Sequence, residues 1–114
     1  MLAYYQDVTE KFNAGNGFTF DMSNYDYAVL QFVLPTGTIN IQATIDGGAS
    51  TAPQDAQTAT NFQSVQATNL ASGASVTSVA AAGLYRVGVV GRYVRFGGAS
   101  AAATKVLLML AKIS

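Results

Sequence analysis

The chain lacks cysteine, histidine and tryptophan, and 11% of its 114 residues are charged. Without thiols, the fold uses neither disulfide bonds nor thiolate-bound metal. Nucleophilic catalysis of the Ser-His-Asp or Cys-His type needs an imidazole or a thiol, so both arrangements are excluded. The six basic and six acidic residues give a formal net charge of zero. This balance argues against a nucleic-acid partner, because binding to phosphates depends on many Lys and Arg side chains.

The small number of charges also bears on the surface of the protein. Half of the residues are hydrophobic, whereas about a quarter of the residues in a typical soluble domain are charged. Surface charge keeps soluble molecules apart. The composition therefore predicts that neighbouring subunits or partner proteins cover much of the surface.

No apolar segment has the length of a membrane helix. The longest one, residues 106–111, is far shorter than the roughly 18 residues that a span needs, so no membrane association is expected. Residues 1–7 lack a basic segment ahead of an apolar core, so we expect no secretory signal and synthesis in the cytoplasm. The length predicts one domain over 1–114, with residues 1–8 as an N-terminal arm or an edge strand.

The most informative stretch is residues 83–96, where apolar and polar side chains alternate. Tyr85, Val87 and Val89 fall on one face of the first half, and Val94 and Phe96 fall on one face of the second. Successive side chains of a strand point to opposite faces, so the pattern predicts two strands joined near Gly91.

The same reasoning predicts strands at 18–20, 25–34, 38–46, 61–68 with a bulge at Ser64, 75–79 and 104–113. In segment 38–46, four residues are predicted to face the core: Ile39, Ile41, Ala43 and Ile45. Residues 13–17 and 49–60 are predicted loops, with a turn at 46–48, and no segment has sustained helical periodicity. The sequence therefore predicts an all-β fold, an antiparallel β-sandwich or jelly roll of about seven to nine strands.

The acidic residues form no recognisable catalytic pair. They lie near predicted strand ends or in loops: Asp7, Glu10, Asp21, Asp26, Asp46 and Asp55. We interpret them as solvated or turn-capping side chains rather than as the two carboxylates of a glycosidase. Calcium held between Asp46 and Asp55 is an alternative for that loop. The sequence predicts a protein that is not an enzyme and that has no cofactor and no metal site.

Two groups of residues are candidates for binding a partner. Arg86, Arg92 and Arg95 are expected to project from one sheet face next to Tyr93, where they would suit carboxylates or sugars. The alternative is that each arginine pairs with a nearby acid or lies in solvent. The second group is the uncharged N-terminal end with Leu2, Tyr4 and Tyr5, which suits contact with a neighbouring subunit. Its alternative is an ordinary first strand.

Three segments carry a resemblance to a known group of proteins: SVQATNLASG at 64–73, GLYRV at 83–87 and VRF at 94–96. They resemble small virion proteins of tailed bacteriophages. The resemblance spans roughly residues 60–96 and implies a capsid decoration or cement protein, or a small tail or fibre component. It also implies a homo-oligomer, with a trimer favoured, that binds the phage major capsid protein. The protein would then be part of the virion, assembled in the host cytoplasm.

The segment GRYVRF at 91–96 also resembles the Arg-Tyr-Val-Arg strand of discoidin-like jelly rolls. That resemblance implies a carbohydrate- or receptor-binding module of the tail-fibre type, with Arg92, Tyr93 and Arg95 at the ligand. Discoidin-like domains are usually longer, and many carry a terminal cysteine pair that this chain lacks. A free-standing cytoplasmic β protein is the third alternative, although such an uncharged surface would tend to associate.

Overall fold

The computed structural model describes residues 1–46 and 59–113. Residues 47 and 48 of the predicted turn, most of the predicted loop at 49–60 and Asp55 lie outside them. The elements in chain order are β1 Leu2–Asp7, α1 Thr9–Gly15, β2 Gly17–Asp21, β3 Tyr27–Val33, β4 Asn40–Thr44, β5 Gln63–Ser64, β6 Ala67–Asn69, β7 Ser75–Val76, β8 Gly83–Gly88, β9 Tyr93–Gly97 and β10 Lys105–Lys112.

The strands form two sheets that pack face to face. The larger sheet has the order β1-β10-β3-β8-β6-β7, and the smaller has the order β2-β9-β4-β5. All strand pairs are antiparallel. At β1–β4 and β8–β10, successive strands alternate between the two sheets, which is the connectivity of a jelly roll. The predicted antiparallel β-sandwich of the jelly-roll type is confirmed.

An aromatic cluster fills the space between the sheets. Phe32 of the larger sheet stacks on Phe96 of the smaller one, with 5.8 Å between ring centroids. Phe96 in turn stacks on Phe20, while Phe12 and Tyr85 meet Phe32 edge to face. The predicted alternation is confirmed within β8 and β9, where Tyr85, Val87, Val94 and Phe96 are all buried.

Three details of the strand predictions were wrong. Val89 was predicted to share the face of Tyr85 and Val87 but is 64% exposed, since β8 ends at Gly88. Segment 61–68 is not one bulged strand, because β5 pairs with β4 in the smaller sheet whereas β6 pairs with β8 in the larger one. The chain crosses from the smaller sheet to the larger one between β5 and β6, just after Ser64, where the alternation of apolar and polar residues shifts by one position. Ile45 was predicted to face the core but is 83% exposed, since β4 ends at Thr44.

The short helix α1 was also missed, because part of it was predicted as loop. Seven residues are too few for an isolated helix to be stable, so tertiary contacts must hold it. The Phe12 ring is fully buried, and the Asn13 amide makes two 2.9 Å hydrogen bonds with the backbone of Ala103. Asn16 then ends the helix in the left-handed conformation, with φ of 50°. Within the described residues, no helix is long and apolar enough to cross a membrane.

A close approach of two backbones fixes the end of the smaller sheet. Gly17 of β2 lies directly opposite Gly97 of β9. A Cβ atom added to Gly97 would lie 2.6 Å from the Gly17 Cα and 2.7 Å from the Asn16 carbonyl oxygen. Both neighbours are backbone atoms, so only a shift of one strand would accommodate a side chain.

We therefore expect Gly97→Ala to lower the free energy of unfolding by about 1–3 kcal/mol, the usual cost of forced overpacking. Gly88→Ala is the matched control, because a Cβ there meets nothing within 4 Å and the residue also lies in a strand. Urea denaturation of both variants measures the difference. Equal stability of the two variants would contradict the close-packing argument.

Candidate interaction surface

The outer face of the larger sheet carries an apolar surface across its central strands. The register aligns Tyr5 of β1, Met109 of β10 and Val29 of β3 in one cross-strand row, which continues through Arg86 of β8 to Thr68 of β6. The buried residues of β3 and β8 alternate with these, so this row faces away from the core.

The next row along the strands is also mostly apolar. It aligns Asp7, Leu107, Gln31 and Leu84, and the Leu70 amide extends it by donating a 2.9 Å hydrogen bond to the Leu84 carbonyl. A shallow pocket of about 520 Å³ lies over the two rows. We call its apolar lining the outer-face patch, which consists of Tyr5, Val29, Leu70, Leu84, Leu107 and Met109.

Three of the apolar side chains in this patch are strongly exposed. Tyr5 is 71% exposed, Leu70 45% and Leu84 42%, whereas Val29, Leu107 and Met109 are half-buried beside their neighbours in the sheet. Contiguous exposed apolar surface of this kind is characteristic of sites that contact other molecules.

Charged side chains border the outer-face patch on both sides. Arg86 lies on the β8 side with its guanidinium 4.5 Å from the centre of the Tyr27 ring, and no described carboxylate pairs with it. Asp7 lies on the β1 side. Hydrogen bonds from the hydroxyl and the amide of Thr9, at 2.6 Å and 3.0 Å, lower the pKa of the Asp7 carboxyl, with a smaller contribution from Lys105.

The predicted N-terminal contact residues lie on β1, an edge strand that pairs with β10. Leu2, Tyr4 and Tyr5 are all exposed. Tyr5 belongs to the outer-face patch, but Leu2 and Tyr4 point to the other side of the strand, by the alternation of side chains. Because β1 is hydrogen-bonded along its length and leads into the fully buried Val8, residues 1–8 form part of the sandwich.

The three arginines do not share one sheet face, contrary to the prediction. Arg86 is on the larger sheet, and Arg95 is on the outer face of the smaller sheet, where it donates a 3.3 Å hydrogen bond to the Asn16 carbonyl. Arg92 precedes β9 and pairs with Asp21 at 3.3 Å. Sequence alternation assigns residues to faces within a strand but cannot show that β8 and β9 belong to different sheets.

Tyr93 is also placed differently from the prediction. It is 3% exposed, with the Arg92 guanidinium 5.3 Å from the centre of its ring. A buried ring offers no face for stacking on a sugar. The residues expected at a carbohydrate site therefore do not form an open platform.

A second concavity lies at the side of the sandwich, between the β1 and β2 edges. This side groove has a volume of about 790 Å³. Polar and aromatic side chains line it together with the apolar Leu108 and Leu110; they include Lys11, Phe18, Asp21, Tyr25 and Arg95. Among residues 1–46 and 59–113, no group of three acidic residues lies close enough to hold a metal ion. The calcium alternative involves Asp55, which lies outside the described part of the chain.

Most of the outer-face patch was not predicted from the sequence. Val29, Leu107 and Met109 lie in runs that are apolar at nearly every position, so the alternation that would mark an outward face is weak there. The available signal was Gln31, which marks the exposed face of β3 and therefore places Val29 on that face too.

No family model matches the chain, and no curated protein matches it. Among solved structures, the fold is similar to that of the SPBc2 prophage-derived protein YomS, with a TM-score of 0.66. The alignment covers 96% of this chain and 95% of that chain at 13% sequence identity. At this identity, the likeness shows a shared fold. The neighbour with that fold is thus a prophage-derived protein.

The contact between Thr9 and Asp7 gives a pH-dependent prediction. Because the folded-state pKa of Asp7 is lowered, its contribution to stability is present above the unfolded-state pKa and is lost as the pH falls through the folded-state value. Thr9→Val removes the hydroxyl donor, so the Asp7 pKa should rise towards its ordinary value. The chemical shift of the Asp7 carboxyl carbon, followed by NMR from pH 2 to about pH 6, measures this.

Thr36→Val is the control for that titration, because the Thr36 hydroxyl is exposed and contacts the Ala102 carbonyl rather than a carboxylate. It should leave the Asp7 pKa unchanged. An unchanged pKa in Thr9→Val would show that the hydroxyl does not hold the carboxylate.

The burial of Tyr93 gives another prediction. Tyr93→Ala should lower the free energy of unfolding by about 3 kcal/mol or more, as for other buried aromatic rings. Tyr5→Ala removes an equally large but exposed ring and should change stability by about 0.5 kcal/mol at most. Thermal or urea denaturation of dilute samples compares them. A Tyr93→Ala variant as stable as the wild type would mean that the ring is not part of the packed interior.

Proposed function

We propose that this protein is a non-enzymatic structural protein of a phage particle, a capsid decoration protein that self-associates and binds the major capsid protein. The observation that carries the proposal is the outer-face patch, an exposed apolar surface on a protein with very few charges. The jelly-roll fold shared with a prophage-derived protein supports a phage origin, as does the resemblance of residues 60–96 to small virion proteins.

The mechanism needs no chemistry. A subunit that binds across the seam between capsid proteins binds the assembled shell and not the free subunits. By mass action, this lowers the free energy of the assembled state. The absence of imidazole and thiol groups from the sequence supports a non-enzymatic role, and the balance of charges supports a protein partner rather than nucleic acid.

The contact residues proposed for this role are the outer-face patch and the other exposed side chains of β1, Leu2 and Tyr4. Because β1 is an integral strand of the larger sheet, deletion of residues 1–8 would disturb the fold. Single substitutions are the appropriate test of these contacts. The proposed oligomer is a trimer, as is frequent in the proteins that the sequence resembles.

A carbohydrate- or receptor-binding role is the second candidate, and the side groove is the observation that favours it. Tyr25 offers an aromatic ring in that groove, and Lys11, Asp21 and Arg95 offer charged hydrogen-bonding groups. A glycan array tests this candidate with the wild-type protein and with Tyr25→Ala. Binding that the substitution abolishes would favour it over decoration, and silence of the wild type would exclude it.

The decisive experiment for the decoration role is direct detection in particles. Virions are purified on a density gradient from a lysate of the strain that carries the coding sequence, and each fraction is probed with an antibody to this protein. We expect the protein to sediment with the major capsid protein in a fixed ratio. Abundant protein in the lysate with none in the particle fractions would contradict a virion role.

A further inference from the structure

We propose that the outer-face patch binds a second copy of this chain through a two-fold contact, with Tyr5 of each copy packed on Arg86 of the other. This inference rests on the self-association in the proposed function and specifies its surface and geometry. It adds a two-fold axis, which gives a dimer on its own and a hexamer if the subunits also form trimers.

The register of the sheet makes the patch self-complementary. Tyr5 and Arg86 lie three strand spacings apart in one row, with Met109 and Val29 between them. A two-fold axis that runs along the strands between β10 and β3 exchanges the positions of Tyr5 and Arg86. It therefore places Tyr5 over the partner's Arg86 and brings Met109 onto the partner's Val29.

The chemistry of these contacts favours a second copy as the occupant. An arginine over an aromatic ring gains a cation–π interaction, and Tyr and Arg are enriched among the residues that dominate interface energies. The second row places Asp7 over the partner's Leu84, roughly 7 Å along β8 from the partner's Arg86, a distance that the long arginine side chain can span. Arg86 has no described carboxylate partner within its own chain, and the contact supplies one.

The size of the surface predicts a weak but specific contact. With the axis between β10 and β3, the two copies overlap over β1, β10, β3 and β8. Four strands at about 4.8 Å spacing and about six residues at roughly 3.4 Å each give a footprint of roughly 390 Å² per copy. Two such footprints total roughly 780 Å², which is the size of a weak, transient contact. The dimer should therefore form at high protein concentration and dissociate on dilution.

Sedimentation equilibrium over a range of concentrations tests the contact. The wild type should approach twice the chain mass, or an even multiple of it. Met109→Lys places a charge at the centre of the contact and should weaken the dimer at least about tenfold. Val89→Lys is the matched control, because Val89 is an exposed apolar residue outside the patch, and it should associate like the wild type.

A cross-linking experiment covers the case in which Met109→Lys fails to fold, which circular dichroism would reveal. The chain has no cysteine, so Ala3→Cys combined with Gly88→Cys introduces the only two thiols and keeps Tyr5 and Arg86. The same axis places Ala3 over the partner's Gly88, whereas two intervening strands separate these positions within a chain. A short bismaleimide should therefore link two chains. An Ala3→Cys, Gln42→Cys pair should not give this product, because Gln42 lies on the smaller sheet.

Several results would overturn the proposal. A wild type that stays monomeric at high concentration would do so, as would an oligomer that persists unchanged in folded Met109→Lys. A monomer that needs Met109 for binding to capsids would assign the patch to the capsid protein instead. Absence of the protein from particles together with an intact two-fold dimer would refute the decoration role while leaving this contact standing.

Discussion

The stacking of Phe32 on Phe96 is the contact on which the rest of the structure depends. It joins the two sheets at their centre, and Phe12, Phe20 and Tyr85 pack around it from the helix and from both sheets. Each of these rings removes a large apolar area from water and gains a geometry-dependent attraction to its neighbour. The chain has no cysteine, so this packing holds the two sheets together without a disulfide bond.

The two-layer arrangement determines what remains exposed. Each sheet buries only its inner face against the other sheet. The six-stranded sheet therefore keeps a broad outer face, on which β3 and β10 present Val29, Leu107 and Met109. An antiparallel sheet that is solvated on one face normally carries polar residues there. The apolar residues of this outer face are thus a feature that packing within one chain does not require.

The sequence was a good guide to strand positions and a poor guide to how strands combine. Alternation in β4, β8 and β9 identified the buried residues Ile41, Tyr85 and Phe96. A strand with one buried face carries apolar residues at every second position, and this pattern is visible in the sequence. Nothing in that period distinguishes one sheet from another, which is why Arg86 and Arg95 were expected together. The helix was missed for a related reason: its stability comes from the burial of Phe12 and the hydrogen bonds of Asn13, both contacts with distant parts of the chain.

The low charge of the protein becomes understandable when the outer face and the edges are considered together. Soluble sandwiches usually protect an exposed edge with lysine, proline or a bulge, yet the exposed edge strand β1 reads Leu-Ala-Tyr-Tyr-Gln before its single acid, Asp7. The same strand supplies Tyr5 to the outer-face patch.

A chain that left both the outer-face patch and the β1 edge in water would be prone to uncontrolled association. A chain that covers them with defined neighbours gains free energy from the same residues, and each charge removed from such a contact removes a desolvation cost. The sparse charges are therefore consistent with a surface shaped by assembly, and the few that remain at the patch, Asp7 and Arg86, are placed where they can orient a partner.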